Sequence, residues 1–253
     1  MIIIALPVFN EGQSIINLIE DICKAKQHFK EDCELIICDD GGKDDLDNKL
    51  KEFNKKIKIH LITNKYNRGL PETIRNLLEF CANNYSPDDT LIRMDGDNTH
   101  DPKYIFDMIN KIKEGNDVVI ASRYAAKSLN NDIPFNRKLI SNCASYIFRI
   151  LFGIKNVKDY TCGFRAYKVS IIQKALEVFG NNFIQIKGLG FSCTLEKILK
   201  LNILGAKFTE IGFKLNYSKK YNNSKMIFSI TMLGYFILIV LYYWPINGWK
   251  SKH

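Results

Sequence analysis

Two acidic residues separated by one glycine, Asp95 and Asp97, come directly after the short apolar run 91–94. Hard divalent cations such as Mg²⁺ and Mn²⁺ prefer oxygen ligands, and they commonly join one or two carboxylates to the phosphate groups of a substrate. Acidic turns are also common on protein surfaces. The pattern therefore indicates a metal site only in combination with its surroundings.

A second polar segment, residues 39–44 with the sequence DDGGKD, follows the apolar run 35–38. A carboxylate here can accept hydrogen bonds from ribose hydroxyls or a base, and glycines let a backbone approach a ligand closely. The alternative is a solvated turn that ends a strand. Neither G-x-G-x-x-G nor G-x-x-x-x-G-K-[ST] occurs in the chain, which argues against dinucleotide redox chemistry and P-loop hydrolysis.

The elements that must position these residues follow from the hydrophobic pattern. Up to about residue 122, short apolar runs alternate with stretches of helical periodicity, which is typical of βαβ units and a mostly parallel sheet. The predicted strands are 2–6, 35–38, 57–62, 91–94 and 118–121. Four of them end in polar or glycine-containing segments, and in an open α/β sheet ligands bind outside the carboxyl ends of the strands. We therefore expect these segments to meet in one crevice.

Beyond residue 122 the alternation weakens. We predict a helix over 137–152, an irregular segment over 159–165 and another helix over 191–201, and we expect this half to complete the site on the acceptor side. The seven cysteines are odd in number and include no C-x-x-C pair, which predicts reduced thiols of a cytosolic domain. The N-terminus has no basic leader, so we expect a buried strand there and no signal peptide.

Residues 226–244 form a stretch of nineteen residues without a charge, ending in two tyrosines and a tryptophan. As a helix it would be about 28 Å long, close to the thickness of a bilayer core, and aromatic residues suit the lipid interface. The alternatives are a helix that lies flat on the bilayer or one that packs on the domain. The prediction is thus a C-terminal hydrophobic helix.

The net charge of +9 is unevenly distributed, because no acidic residue follows Glu210 whereas six lysines do. This asymmetry suggests an anionic surface or substrate near the C-terminus, although a generally lysine-rich composition would also account for it. Zinc-finger spacing, helix-turn-helix signals and aromatic RNA-binding signatures are all missing from the sequence. We therefore predict a membrane partner and no nucleic acid.

Four motifs in this order resemble those of family 2 glycosyltransferases with the GT-A fold: PVFNE at 7–11, DDGGKD at 39–44, NRGL at 67–70 and DGD at 95–97. A closer resemblance is to polyprenol-phosphate (dolichol-phosphate) mannosyl- and glucosyltransferases. It rests on ASRY at 121–124, PFNRKLIS at 134–141, KDYTCGFR at 158–165, Gly190-Phe191 with Glu196, and Ser224-Lys225. The resemblance covers residues 1 to about 225.

The resemblance implies a Rossmann-like, mostly parallel central sheet flanked by helices, and a role for each matching residue. Asp95, Asp97 and Thr99 would hold Mg²⁺ or Mn²⁺, with Thr99 standing where the mannosyl enzymes usually carry Gln. The acceptor phosphate would bind to Arg123, Arg137 and Ser141. These three residues, together with Asp95 and Asp97, make up the implied catalytic set. The implied donor-binding set is Pro7, Phe9, Glu11, Asp39, Asp40, Arg68, Asp95 and Lys219. Lys219 replaces the family's Arg and keeps the charge without the bidentate fork.

The function implied is transfer of a hexose of the mannose or glucose class, with inversion, from a GDP- or UDP-hexose to polyprenol or dolichol phosphate. An alternative is transfer to a glycan or glycolipid hydroxyl, which needs a general base, for which Glu196 and Asp159 are the candidates. Glu196 has a competing interpretation as the partner of Lys200 at i,i+4, and Asp159 as a structural residue of its loop. A catalytically inactive scaffold is a third hypothesis.

His100, beside the acidic pair, is either a further metal ligand or part of a helix start at Asp101-Pro102. The predicted organisation is a GT-A catalytic domain over 1–225 and a membrane-associated segment over 226–253. The predicted location is the cytoplasmic face of a membrane, with the protein peripheral or held by the one C-terminal hydrophobic helix.

Overall fold

The structure is a computed structural model that describes residues 1–125, 135–216 and 227–243, and the side chains of 135–143 and of residue 228 lie outside the described part. Its strands form one sheet of order β3-β2-β1-β4-β6-β5-β7. Their bounds are β1 Ile2–Val8, β2 Cys33–Asp39, β3 Lys58–Thr63, β4 Thr90–Arg93, β5 Val118–Ser122, β6 Arg165–Lys168 and β7 Phe208–Gly212.

The described part also contains eight helices and four short 3-10 turns. The helices are α1 Gln13–Lys26, α2 Leu46–Leu50, α3 Leu70–Asn84, α4 Ile105–Lys113, α5 Phe135–Phe152, α6 Val169–Phe179, α7 Cys193–Ile203 and α8 Phe228–Tyr242. The 3-10 turns are Lys51–Phe53, Pro102–Tyr104, Gly180–Ile184 and Gly190–Ser192. The predicted α/β class and the five predicted strands are confirmed to within two residues or so at each end.

The sheet reverses its winding direction between β1 and β4. From β1 the chain adds β2 and then β3 on one side in parallel, and β4 then joins the other side of β1, also in parallel. Such a reversal opens a crevice at the carboxyl ends of the two central strands, where α/β proteins bind their ligands. The crevice here lies between the segment after β1 and the segment after β4, which carries Asp95 and Asp97.

Pro7 lies in the central strand β1, where a missing N–H would ordinarily weaken the sheet. Pairing of β1 with β4 ends at Ala5 and Arg93, followed by one bond from the Met94 N–H to the Ala5 carbonyl at 3.1 Å. Because backbone groups alternate sides along a strand, the nitrogen of Pro7 points to the side where β4 has already turned away. The proline therefore costs no sheet hydrogen bond and can lie at the edge of the crevice.

Strands β6 and β7 were not predicted from the sequence. β6 has only four residues, Arg-Ala-Tyr-Lys, and it pairs antiparallel with both β4 and β5. β7 pairs with β5 alone at the edge of the sheet. Both lack a continuous apolar run, so their identity as strands depends on neighbours that are distant in sequence.

The C-terminal hydrophobic helix is present as α8, which has fifteen described residues. Its inward side chains Tyr235, Leu238 and Tyr242 are buried against the domain. Gly234 lies so close to Ser192 that a Cβ there would be 2.6 Å from the serine Cβ. Over the described parts of the chain, none of the helices has both the length and the apolarity needed to cross a bilayer. The buried side chains of α8 agree with the alternative of a helix that packs on the domain.

Candidate active site

The turn that carries Asp95 and Asp97 packs directly on the end of β1. A Cβ on Gly96 would lie 2.9 Å from the carbonyl oxygen of Pro7 and 3.1 Å from a methyl of Val8, so the glycine allows the close approach. Asn98, which follows Asp97 in this turn, has a left-handed backbone with a φ of 59°. The acidic pair and the PVFNE segment are therefore neighbours in space, as the sequence predicts.

Asp97 is held by Thr99. The Thr99 hydroxyl donates to Oδ1 of Asp97 at 2.7 Å, and the Thr99 backbone N–H donates to the same oxygen at 3.2 Å. Thr99 itself is buried. The contact present is thus one that orients Asp97, and the role of Thr99 as a metal ligand stays a prediction.

His100 supports the acidic turn through a hydrogen bond and through ring packing. Its Nδ1 accepts the backbone N–H of Asp95 at 3.1 Å, and its ring stacks on Phe164 with centroids 5.0 Å apart. Burial lowers the pKa of His100, which favours the neutral ring. A neutral ring that accepts at Nδ1 carries its proton on Nε2, so both nitrogens are occupied. This geometry fits a positioning role better than metal ligation.

Asp40 is buried and bonds the loop that precedes α3. Its Oδ1 accepts from the Arg68 N–H at 2.9 Å and from the side chain of Asn64 at 2.8 Å, and its Oδ2 accepts from the Gly69 N–H at 2.8 Å. A carboxylate at the start of a fifteen-residue helix also meets the positive end of its dipole. Asp40 therefore shapes the predicted donor loop, and direct contact with the donor remains a prediction.

The remaining loops of the donor side are bonded to one another. Asp39 accepts from the Gly42 N–H at 2.9 Å, and burial raises the pKa of Asp39. The side chain of Asn10 accepts from the Lys43 N–H at 2.8 Å, and Asp44 accepts from the Gly12 N–H at 2.7 Å. The segments after β1 and β2 thus hold each other in place.

The other predicted donor residues lie around these loops. Pro7 is buried, Phe9 and Glu11 are partly exposed, and Arg68 is exposed. Asp95 is 28% exposed at its side chain. The structure thus brings the predicted donor-binding residues of 1–97 to the carboxyl ends of β1, β2, β3 and β4.

Arg123 follows β5 and forms a bidentate pair with Asp159. Its Nε and Nη2 each donate to the carboxylate at 2.8 Å, and its backbone N–H donates at 3.0 Å. Asp159 also accepts from the backbone of Thr161 and Cys162. Burial alone would raise the pKa of Asp159, but the charge and hydrogen bonds of Arg123 outweigh it and lower the pKa. The structural interpretation of Asp159 therefore holds.

Glu196 is fully buried and paired with Lys200, 2.6 Å away and equally buried. It also accepts the backbone N–H groups of Gln185 and Ile186, at 3.1 and 3.2 Å. The interpretation of Glu196 as the i,i+4 partner of Lys200 is confirmed. Three predicted residues, Arg137, Ser141 and Lys219, have side chains outside the described residues; the first two fall within α5.

The residues present fit a hard divalent cation. Asp95 and Asp97 supply carboxylate oxygens at a strand end, and within the described ranges no group of three or more His, Cys, Asp or Glu side chains forms a metal cluster. A cation bound by two carboxylates needs further oxygens from phosphate and water, and this is the coordination that Mg²⁺ prefers in nucleotide sites. The donor set is thus suited to a metal that arrives with a diphosphate.

Comparison with known proteins fixes the family. Residues 3–176 match the family described as Glycosyl transferase family 2. This chain belongs to that family. Dolichol-phosphate mannosyltransferase of Pyrococcus furiosus is 29% identical over 199 residues, which are 78% of this chain and 52% of that protein. Dodecaprenyl-phosphate galacturonate synthase of Rhizobium johnstonii is 29% identical over 174 residues, 68% of this chain and 48% of that protein. The chain therefore spans about half the length of these relatives.

Solved structures of the same fold agree. Glucosyl-3-phosphoglycerate synthase from Mycobacterium tuberculosis, crystallised with Mn²⁺, UDP and glucosyl-3-phosphoglycerate, has a TM-score of 0.65 and 16% identity, covering 97% of this chain and 80% of that one. At this identity the likeness shows the fold, which is GT-A. The predicted family and fold are confirmed.

In this family 2 glycosyltransferase, the sequence interpretation missed several residues of the site. Arg93 lies against Asp95, and Arg165 and Lys197 are buried nearby. One signal was available for Arg93, because a charged residue that closes an otherwise apolar strand, two residues before a carboxylate, is unusual. Arg165 closes the KDYTCGFR motif but was assigned no role, and Lys197 gave no signal, since only the tertiary structure shows its position.

Proposed function

We propose that the protein transfers a hexose from a nucleotide-sugar to the phosphate of a polyprenol at a membrane surface, with inversion at the anomeric carbon. The alternative within the same family is transfer to a glycan or glycolipid hydroxyl. The two reactions differ in what the nucleophile needs. A phosphate monoester is ionised at pH 7, whereas a sugar hydroxyl needs a positioned general base.

The burial of both candidate bases carries the proposal. Glu196 and Asp159 are fully buried, and each is paired with a cation and bonded to backbone N–H groups. A general base must be within hydrogen-bond reach of the proton that it removes. The burial and pairing of both carboxylates favour a phosphate acceptor, because an ionised phosphate needs no such group. The names of the two relatives, which include dolichol phosphate and dodecaprenyl phosphate, support the same acceptor class.

The donor side supports a nucleotide-sugar. Asp95 and Asp97 would hold the divalent cation, which when bound neutralises the charge that develops on the departing nucleoside diphosphate. Asp39 and the segment after β1 would bind ribose and base. The Asn216 N–H donates to the carbonyl of Thr99 at 3.0 Å, so the chain three residues before Lys219 lies beside the acidic turn. We propose that Lys219, which follows this segment in the sequence, binds the donor diphosphate.

On the proposed acceptor side, the Asp159 carboxylate fixes the orientation of the Arg123 guanidinium and partly neutralises its charge. The Nη2 of Arg123 also donates to the Thr161 hydroxyl at 2.5 Å. Arginine's planar fork suits phosphate oxygens, and a guanidinium held on one edge is already oriented for an anion. We propose that Arg123 acts with Arg137 and Ser141 on the acceptor phosphate.

An apolar surface supports action at a membrane. Tyr146, Ile147 and Ile150 of α5 are exposed, as are Leu233 and Phe236 of α8. The two helices touch, because the rings of Phe148 and Tyr235 are 5.0 Å apart. Contiguous apolar residues on a surface mark an interaction site, and a lipid interface suits a mixture of aromatic and aliphatic side chains. We propose that these outward faces of α5 and α8 rest on the bilayer.

The test is an assay of purified protein with Mn²⁺, a panel of UDP- and GDP-hexoses, and a short-chain polyprenyl phosphate in detergent, with products detected by mass spectrometry. We expect a hexosyl-phosphopolyprenol from one donor. Arg137→Ala should raise the KM for the lipid phosphate at least tenfold and leave the donor KM nearly unchanged, because it removes about 1.5–3 kcal/mol of charge-assisted bonding.

The acceptor class is tested by removing the buried carboxylate. The double variant Glu196→Gln/Lys200→Met deletes both charges of the pair, so no lysine is left uncompensated. If the acceptor is a phosphate, the folded double variant should keep appreciable transfer. Loss of transfer in this folded variant, together with full activity of Arg137→Ala, would show that the acceptor is a hydroxyl.

A further inference from the structure

Three cations are buried beside the acidic turn: Arg93, Arg165 and Lys197, each at most 2% exposed. Arg93 and Arg165 lie directly opposite each other in the antiparallel pair of β4 and β6. Like charges opposite one another destabilise a sheet, and burying a charge is costly unless it is well paired. The two opposed arginines therefore lower the stability of the fold. A functional advantage at the adjacent acidic turn would explain why they are there.

Arg165 is hydrogen-bonded in a way that leaves its charge in place, whereas burial affects the charge of Lys197. Arg165 donates to backbone carbonyls, from Nη1 to Thr194 at 2.7 Å and from Nη2 to Tyr160 at 3.1 Å. Burial, with further repulsion from Arg93 and Arg165, lowers the pKa of Lys197 to about 7. Backbone carbonyls accept from Nη1 and Nη2 of Arg165 but do not cancel its charge, and within the described residues its Nε makes no hydrogen bond.

Arg93 is the member that reaches the acidic turn. Its Nη2 lies 2.6 Å from Oδ1 of Asp95. Within the described residues its Nε and Nη2 make no well-directed hydrogen bond, so the contact is mainly ionic. Gly163 makes room for it, because a Cβ at that position would overlap Nη1 of Arg93. Gly163 does not have a positive φ. A glycine is required here because a larger side chain would fill the space that Arg93 occupies.

We propose that Arg93 is a positioning residue that orients and neutralises Asp95, so that a divalent cation binds tightly only together with the donor diphosphate. The inference rests on the proposed function. A guanidinium in contact with a ligand carboxylate opposes a bare cation by Coulomb repulsion. A diphosphate brings negative charge that offsets both the cation and Arg93. Arg93 would thus make metal binding conditional on donor binding.

The test is a titration of the full chain with Mn²⁺, with free Mn²⁺ measured by electron paramagnetic resonance, alone and with UDP or GDP. Arg93→Met removes the charge at similar length, and Arg93→Lys retains it. We expect Arg93→Met to bind Mn²⁺ alone about tenfold more tightly than the native protein, and the enhancement by the nucleotide to fall by a similar factor. Arg93→Lys should stay close to the native protein. Loss of a merely structural residue would loosen Mn²⁺ binding under both conditions.

Unchanged or weaker binding of Mn²⁺ alone by a folded Arg93→Met variant would overturn the proposal. Gly163→Ala is the second variant, for use if Arg93→Met does not fold. It keeps Arg93 but displaces the guanidinium, and we expect the same direction of change with a smaller amplitude. If the native protein binds no Mn²⁺ with either nucleotide, the proposed metal-dependent transfer is itself contradicted, and the role of Arg93 with it.

Discussion

The predicted donor half of the site, residues 1–122, and the predicted acceptor half after it hold their carboxylates in different ways. In the donor half, Asp39, Asp40 and Asp44 accept backbone N–H groups of neighbouring loops. In the acceptor half, the buried carboxylates of Asp159 and Glu196 are paired with the side chains of Arg123 and Lys200. The three loop carboxylates bond to backbone N–H groups, whereas Asp159 and Glu196 add a cationic side chain to such backbone bonds.

The difference predicts different responses to mutation. Substitution of a loop carboxylate by its amide keeps an acceptor oxygen and loses only part of the interaction. Removal of one member of a buried ion pair leaves an uncompensated charge, which costs about 3–5 kcal/mol. We therefore expect donor-half variants to affect catalysis first and acceptor-half variants to affect stability first. The following predictions test this contrast, from the largest expected effect to the smallest.

Asp97→Asn should lower kcat/KM by at least about a thousandfold, or about 4 kcal/mol, because it removes a carboxylate from the predicted metal site. Folding should be retained, since the amide oxygen can still accept from Thr99. Steady-state kinetics and thermal unfolding measure the two quantities. Thr99→Val is the matched control and should lose only about tenfold in rate. Full turnover in EDTA would contradict the metal requirement.

Asp159→Asn should lower the free energy of unfolding by about 3 kcal/mol, because it leaves Arg123 without its buried partner. The lowered pKa of Asp159 means that the unfolded chain binds more protons near and below pH 4. Its stabilisation is therefore complete above the unfolded pKa and is lost as the pH falls through the folded value. We would measure the free energy of unfolding by chemical denaturation at several pH values. On the acid side it should fall more steeply with decreasing pH for the native protein than for the variant. Equal slopes would mean that the pair contributes nothing.

Asp40→Asn should cost about 1–2 kcal/mol of stability, because it weakens the bonds to the Arg68 and Gly69 N–H groups at the start of α3. The donor KM should rise while kcat changes little, since the loop loses order rather than a group that touches the reaction. Asp47→Asn, an exposed residue of α2, is the control and should be neutral. An unchanged donor KM would separate this loop from donor binding.

Leu233→Ser and Phe236→Ser on α8 should each weaken binding to lipid vesicles by about 1 kcal/mol, because they remove exposed apolar surface. Activity on a short soluble acceptor should persist. Val178→Ser on α6 removes a similarly exposed apolar side chain from another part of the surface and is the matched control. If all three variants partition alike, the bilayer contacts a different face.

The fold of the donor half was largely predictable from the sequence. Each strand from β1 to β5 is a short apolar run, and the polar segments that follow β1, β2, β3 and β4 could be expected to meet because carboxyl ends of parallel strands share one edge. The acceptor half was less predictable. β6 and β7 lack such runs, and Asp159 looked as available for chemistry as Asp97 does.

The sequence by itself determined the family, the order of the motifs and the prediction that Asp95 and Asp97 bind a metal, because local residue types and spacing encode them. Only the tertiary structure decided that Asp159 and Glu196 are buried partners of cations, and that Arg93 reaches Asp95 through the space left by Gly163. Burial depends on contacts between residues far apart in the chain, as does the pairing of Arg123 with Asp159. Those contacts change the charge, exposure and reach of a side chain without changing its identity.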